Sequence, residues 1–155
     1  MAPAQFTAAL FSRFGRWSSR FRSPDPETLS AGELGVLGEK LAARHLGRSG
    51  YRVIFRNFRA PHGGEVDIVC RDKRERTLVF VEVKTRRSID FGRPGDAVNA
   101  DKQKLIARGA IGWLRLLSFP DIRYRFDIAE VVFSGPDHHV NIIRNAFSLP
   151  EHYRL

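Results

Sequence analysis

The stretch from residue 77 to 84 constrains the fold more than any other. Leu78, Val79, Phe80, Val81 and Val83 follow one another almost without interruption. Successive side chains of a strand point to opposite faces, so this segment needs cover on both sides. It is therefore expected to be a central strand of a sheet with helices packed on each face. Two residues break the apolar run, Glu82 and Lys84, and neither is an obvious choice inside such a strand.

The flanking sequence supplies the rest of the layers. Ser30 and Glu33 form a capping-box pattern, in which each side chain can satisfy a free amide at a helix start. Leu34, Leu37, Leu41 and His45 continue at helical spacing, and Gly47 and Gly50 read as the stop. Residues 51–58 carry the β-branched and aromatic content of a strand. Residues 61–64 read as a turn, 65–71 as a second strand and 72–76 as a charged turn before the central strand. Gly92, Pro94 and Gly95 mark a loop over residues 89–97. A helix over residues 101–117 sets Leu105, Ile106, Gly109, Trp113, Leu116 and Leu117 along one stripe, with Lys104, Arg108 and Arg115 opposite. Residues 122–133 form a long strand, and 140–147 a shorter last element of open type. The order α-β-β-β-α-β describes an α/β fold, a mixed β-sheet flanked by α-helices.

The 155 residues fit one domain, residues 30–155, behind an N-terminal extension of residues 1–29. In that extension Phe6, Leu10, Phe14, Trp17 and Phe21 recur at steps of three and four, interleaved with Arg13, Arg16, Arg20 and Arg22. Such an arm suits a membrane surface or a protein partner. Its basic residues follow the apolar ones, which is not the order of a secretory signal. No apolar run is long enough to span a bilayer. The single cysteine, Cys70, excludes an intrachain disulfide and argues against a cysteine-based zinc site; a reducing, cytoplasmic compartment is expected. The formal net charge is +9, most of it arginine, which favours a polyanionic partner such as nucleic acid.

The chemistry concentrates in Gly64-Glu65-Val66-Asp67 followed by Val81-Glu82-Val83-Lys84. Strict alternation puts Glu82 and Lys84 on one face, and Glu65 and Asp67 on one face opposite Val66, Ile68 and Cys70. A hairpin in which Arg71 pairs with Leu78 sets Asp67 across from Glu82 and Glu65 across from Lys84. Carboxylates at that separation repel, and burial adds a desolvation cost. A divalent cation would remove the repulsion; Mg²⁺ and Mn²⁺ favour oxygen ligands. The plain alternative is a solvated strand face with Glu65–Lys84 and Glu82–Lys84 ion pairs.

At these residues the sequence resembles the YraN family of bacterial proteins. The shared motifs run from Gly35, Gly38, Glu39 and Ala42 through Gly50-Tyr51, Arg56-Asn57-Phe58-Arg59, Gly64-Glu65-Val66-Asp67 and Val79-Phe80-Val81-Glu82-Val83-Lys84 to Phe91, Gly92, Pro94 and Arg125-Phe126-Asp127. That family looks like the PD-(D/E)xK nucleases and, among them, archaeal Holliday-junction resolvases. The resemblance implies a restriction-endonuclease-like fold and Mg²⁺- or Mn²⁺-dependent phosphodiester cleavage. Carried over by position, Asp67 and Glu82 are the metal carboxylates, Glu39 the outer acid and Lys84 the catalytic lysine. Val66 stands where the superfamily motif has proline.

Arg86, Arg87 and Arg93 lie just past the Glu-x-Lys strand as candidate phosphate contacts, and Lys102 and Gln103 open the following helix, whose N-terminus favours phosphate. His138 and His139 are adjacent, so they cannot both face one ion on a strand, and they read as a loop. Asp127 is expected to pair with an arginine. Three functional readings stay open: a nuclease acting on nucleic acid, DNA ahead of RNA; a binding module of the same fold with little turnover; and an adaptor using the N-terminal arm. Junction cleavage would call for a homodimer.

Overall fold

The computed structural model describes residues 25–87 and 98–149. The N-terminal extension up to residue 24, Arg93 and most of the loop before the second long helix lie outside them. Five strands form one sheet in the order β1-β2-β3-β4-β5: β1 (Tyr51–Arg59), β2 (Glu65–Asp72), β3 (Thr77–Arg86), β4 (Tyr124–Ser134) and β5 (Asp137–Phe147). β1, β2 and β3 form an antiparallel meander, β4 runs parallel to β3, and β5 returns antiparallel to β4. The apolar segment is thus the central strand. Helices α1 (Ala31–Arg48) and α2 (Ala100–Leu116) cover opposite faces. This is a mixed sheet flanked by helices, the architecture expected of a restriction-endonuclease-like fold. Among the described residues no helix is long and apolar enough to cross a membrane.

Two apolar clusters sandwich the sheet. Under α2, Phe58, Val66, Val69, Leu78, Phe80 and Phe126 meet Ile106, Ala110, Trp113 and Leu114. Under α1, Ile68, Cys70, Val79, Val81, Val131 and Phe133 meet Leu34, Leu41, Ala42 and Leu46. The α1 capping box forms as read, with Ser30 and Glu33 reciprocally bonded. Gly47 does not end the helix; it lies inside the last turn, and Gly50 at φ +92 follows the Ser49 cap. In α2 the stripe is narrower than the periodicity suggested. Leu105, Leu116 and Leu117 are exposed, whereas Ala107, Ala110 and Leu114 are buried.

Two close approaches fix the helices on the sheet. A Cβ on Gly38 would lie 2.0 Å from Thr85 Oγ1, so only glycine lets α1 cross β3 this tightly. A Cβ on Gly109 would lie 2.8 Å from the backbone of Glu65, and one on Gly64 would meet the Gly109 amide. Each contact brings a helix beside the end of β2 or β3 that carries the acids.

The β4–β5 hairpin turns at Gly135, and His138 and His139 lie within β5 opposite Phe133 and Val132. They are strand residues and not a loop. Hairpin pairing lengthened an element that its polar start made hard to recognise.

At the far end of the sheet Arg125 is 9% exposed and donates to Asp127, Asp72, Glu75 and the Tyr51 hydroxyl. The arginine partner expected for Asp127 is therefore its neighbour two residues back on β4. These acids and hydrogen bonds hold the guanidinium firmly protonated against the cost of its burial. Arg125→Ala leaves Asp127 and Asp72 buried without their main counter-charge. It is expected to cost about 3–5 kcal/mol in urea unfolding; a loss below about 1 kcal/mol would mean the network is not held as described.

Candidate active site

The β2–β3 pairing follows the expected register, Arg71 opposite Leu78 and Ile68 opposite Val81, and then stops. Beyond that pair the strands fork. Asp67 Oδ2 accepts from the Val83 amide at 2.8 Å, so a side chain takes the place of the next ladder bond. The fork leaves the Asp67 and Glu82 carboxylates as near neighbours, close enough for Asp67 to raise the Glu82 carboxyl.

Alternation also fails here. Val66 and Val69 both pack under α2, whereas Ile68 and Cys70 pack under α1. Phe55 and Phe58, likewise three apart on β1, both touch Trp113 of α2. The register runs from Arg56↔Ile68 to Phe58↔Val66 and skips the pair between them, Asn57 and Asp67. Asn57 has φ +54. One left-handed residue rotates the strand and shifts the facing parity of its partner, which strict alternation could not anticipate.

Glu82 is 3% exposed. Burial and the adjacent Asp67 push its carboxyl up to about 7, against the pull of Lys102 and Lys84. Lys84 Nζ and Lys102 Nζ each stand 3.4 Å from Glu82 Oε1, while Glu82 Oε2 is buried with no partner. Lys102 also binds Glu65 at 2.5 Å. Glu65 thus pairs across the fork to α2 and not to Lys84, and that contact holds its carboxyl below the usual range. Glu39 reaches the same region from α1. Burial raises its carboxyl, partly offset by the nearby Asn57 side chain, and Asp67 and Glu65 are close enough to raise it further. Its Oε2 is also buried without a partner.

The structure therefore gathers Glu39, Asp67, Glu82, Lys84 and Lys102 in one place, reached from both faces of the sheet. Gln103 does not join them; its amide donates to the Val98 carbonyl and closes the start of α2. Arg87 donates to the carbonyls of Pro26 and Leu29, tying the end of β3 to the segment before α1. Arg86 is half-buried and engaged. Sequence reasoning missed Glu65 as the anchor of Lys102. It also missed Asn57 and Arg56, whose charge acts on Glu39. The signal for them was the Arg56-Asn57 pair inside a strand of otherwise apolar and aromatic residues.

Two unpartnered carboxylate oxygens, a pair of neighbouring carboxylates and an all-oxygen donor set fit a hard divalent cation. The described residues do not hold three ligating side chains already closed into a metal group.

The model of the uncharacterised protein family UPF0102 matches residues 38–131. A UPF0102 protein of Geobacter sulfurreducens is 50% identical over 117 residues, covering 75% of this chain and 89% of that protein. This chain belongs to UPF0102, the YraN family. A UPF0102 protein of Pelobacter propionicus is 42% identical over 136 residues, covering 87% of this chain and 94% of its own length. The UPF0102 match spans Glu39, Asn57, Asp67, Glu82, Lys84 and Lys102. A solved structure, a protein of unknown function from Silicibacter pomeroyi, aligns with 81% of this chain and 80% of its own at 18% identity. The two align with a TM-score of 0.34.

Proposed function

We propose that this UPF0102 protein binds nucleic acid, DNA ahead of RNA, and hydrolyses its phosphodiester bonds with Mg²⁺ or Mn²⁺. Asp67 and Glu82 would hold the cation, with Glu39 as the outer acid. The observation that carries the reading is the fork. The Asp67 and Glu82 carboxylates neighbour each other at the end of a central strand, and an oxygen of Glu82 is buried with no partner. Such an arrangement is costly for a fold to keep, and a bound cation would offset that cost. A cation held there supplies charge stabilisation at a phosphoryl oxygen and makes water more acidic. Lys84, beside Glu82, stabilises developing negative charge and orients the attacking water. Lys102, on the first turn of α2, is placed to exchange Glu65 for a phosphate. The net charge of +9 supports a polyanionic substrate, and a cytoplasmic location accords with it. Cleavage of a four-way junction would require a homodimer presenting two such sites.

One observation favours a second reading, a binding module with little or no turnover: among the described residues the carboxylates are not closed into a three-ligand group. The experiment that separates the two is incubation of purified protein with Mn²⁺ and single-stranded, duplex, flap and four-way-junction DNA. Wild type should cleave at least one substrate and Asp67→Ala none. Binding without cleavage on every substrate would leave the module as the better reading.

A further inference from the structure

We propose that the end of the sheet opposite the acids is a second binding surface, where Arg71, Arg76 and Arg123 together grip the phosphate backbone of a nucleic acid. The inference rests on the nucleic-acid reading and deepens it, because it places a grip on the substrate away from the residues that would hold the cation.

The phosphate contacts expected just past β3 are already taken: Arg87 donates to backbone carbonyls and Arg86 is engaged. At the other end of β3 three arginines converge. Arg71 pairs with Leu78 from β2, and the Arg123 carbonyl accepts from the Leu78 amide at 2.8 Å, so the two flank the start of the central strand. Arg76, at φ +56, lies in the turn before it. All three are exposed, and none has a side-chain hydrogen bond or ion pair among the described residues. With Glu75 and Asp121 they line one hollow of about 610 Å³. Glu75 is committed to Arg125 and Arg144, which leaves Asp121 against three guanidinium groups. A second hollow, of about 790 Å³, shares Arg123 and adds Arg144. Across β1–β2, Arg52 stands directly opposite Arg71, and both are exposed. Like charges so opposed are destabilising. An uncompensated cluster around a concave surface draws counter-charge from a ligand. Guanidinium forks match phosphate oxygens in pairs, and a run of phosphates can meet arginines that stand on separate elements. The two ends of β2 are thus opposite in kind: Glu65 and Asp67 attract a cation at one, and Arg71 with its neighbours attracts an anion at the other.

Two pairs of substitutions separate a local grip from net charge. Arg71→Ser with Arg123→Ser removes two arginines of the hollow, whereas Arg44→Ser with Arg48→Ser removes the same charge from the exposed side of α1. Binding of a fluorescein-labelled DNA duplex is followed by anisotropy in EDTA, from about 50 to about 200 mM salt. The first pair should flatten the log–log salt slope by about 1.8, about 0.9 for each phosphate contact, and bind at least about tenfold more weakly at about 100 mM salt. The second should change the slope by less than about 0.5. Arg71→Ser alone should melt at or above wild type without DNA, because it relieves the repulsion from Arg52. Unchanged or raised stability beside weaker binding is what a merely structural arginine would not give. Equal changes in both pairs, or none in the first, would overturn the proposal while nucleic-acid binding stood. So would a first pair that loses binding to phosphatidylglycerol vesicles with duplex affinity unchanged, which would assign the hollow to a membrane surface. No duplex binding by wild type at any salt would sink the nucleic-acid reading and this inference with it.

Discussion

Lys84→Ala is expected to slow phosphodiester cleavage by about 10³-fold while changing nucleic-acid affinity by less than about threefold. The separation follows from position. The ammonium stands beside the buried Glu82 carboxylate at the open end of β3, where the proposed chemistry occurs. For binding it is one cation in a chain with 26 lysines and arginines, so its loss barely alters phosphate neutralisation. Lys102→Ala offers the contrasting case. It frees Glu65 and Glu82 of a positive neighbour, and its effect should fall more on affinity and salt dependence. Cleavage by Lys84→Ala at the wild-type rate, in two independent preparations, would remove the lysine from the chemistry.

Glu82→Gln should stop turnover and, in metal-free protein, raise stability at pH 8 by about 1–3 kcal/mol. Burial and Asp67 push the folded-state carboxyl up to about 7, from about 4.5 in the unfolded chain. A group raised in the folded state contributes stability that is complete below its unfolded value and is lost as pH rises through the folded one. Wild type should therefore weaken between about pH 5 and pH 8, relative to Glu82→Gln. Glutamine keeps the shape and can donate to Asp67 without carrying charge into the core. Saturating Mn²⁺ should restore wild type at pH 8, by about 2.7 kcal/mol at one hundred times the dissociation constant, and do nothing for the variant. Urea unfolding at the two pH values measures both. If the two proteins keep the same stability difference at pH 5 and pH 8, Glu82 does not hold a proton in the fold.

Much of this architecture is legible in the sequence because it follows from local patterns. The central strand declares itself by apolar residues on both faces, and the register by the short turn that joins Arg71 to Leu78. The capping box at Ser30 announces α1. Asp67, Glu82 and Lys84 stand out as charges among apolar neighbours. What the pattern hides is long-range or conformational. Lys102 joins the site only because Gly109 lets α2 lie against Glu65. Asn57 matters through its φ, and its effect on Val66 and Ile68 is carried across a strand pair. Arg87 resembles a phosphate ligand by its place after β3, yet it donates to backbone carbonyls that precede α1. Periodicity assigns residues to faces, but it says nothing of which charges from separate elements meet.

The most direct measurement is Mn²⁺ binding by calorimetry at pH 8, with and without a cleavage-resistant phosphorothioate oligonucleotide, for wild type, Asp67→Ala and Glu82→Gln. The account predicts binding by wild type, tighter when the oligonucleotide is present, and little or none by either variant although both remain folded. Equal binding by wild type and Asp67→Ala, or no binding by wild type even with the oligonucleotide, would contradict it.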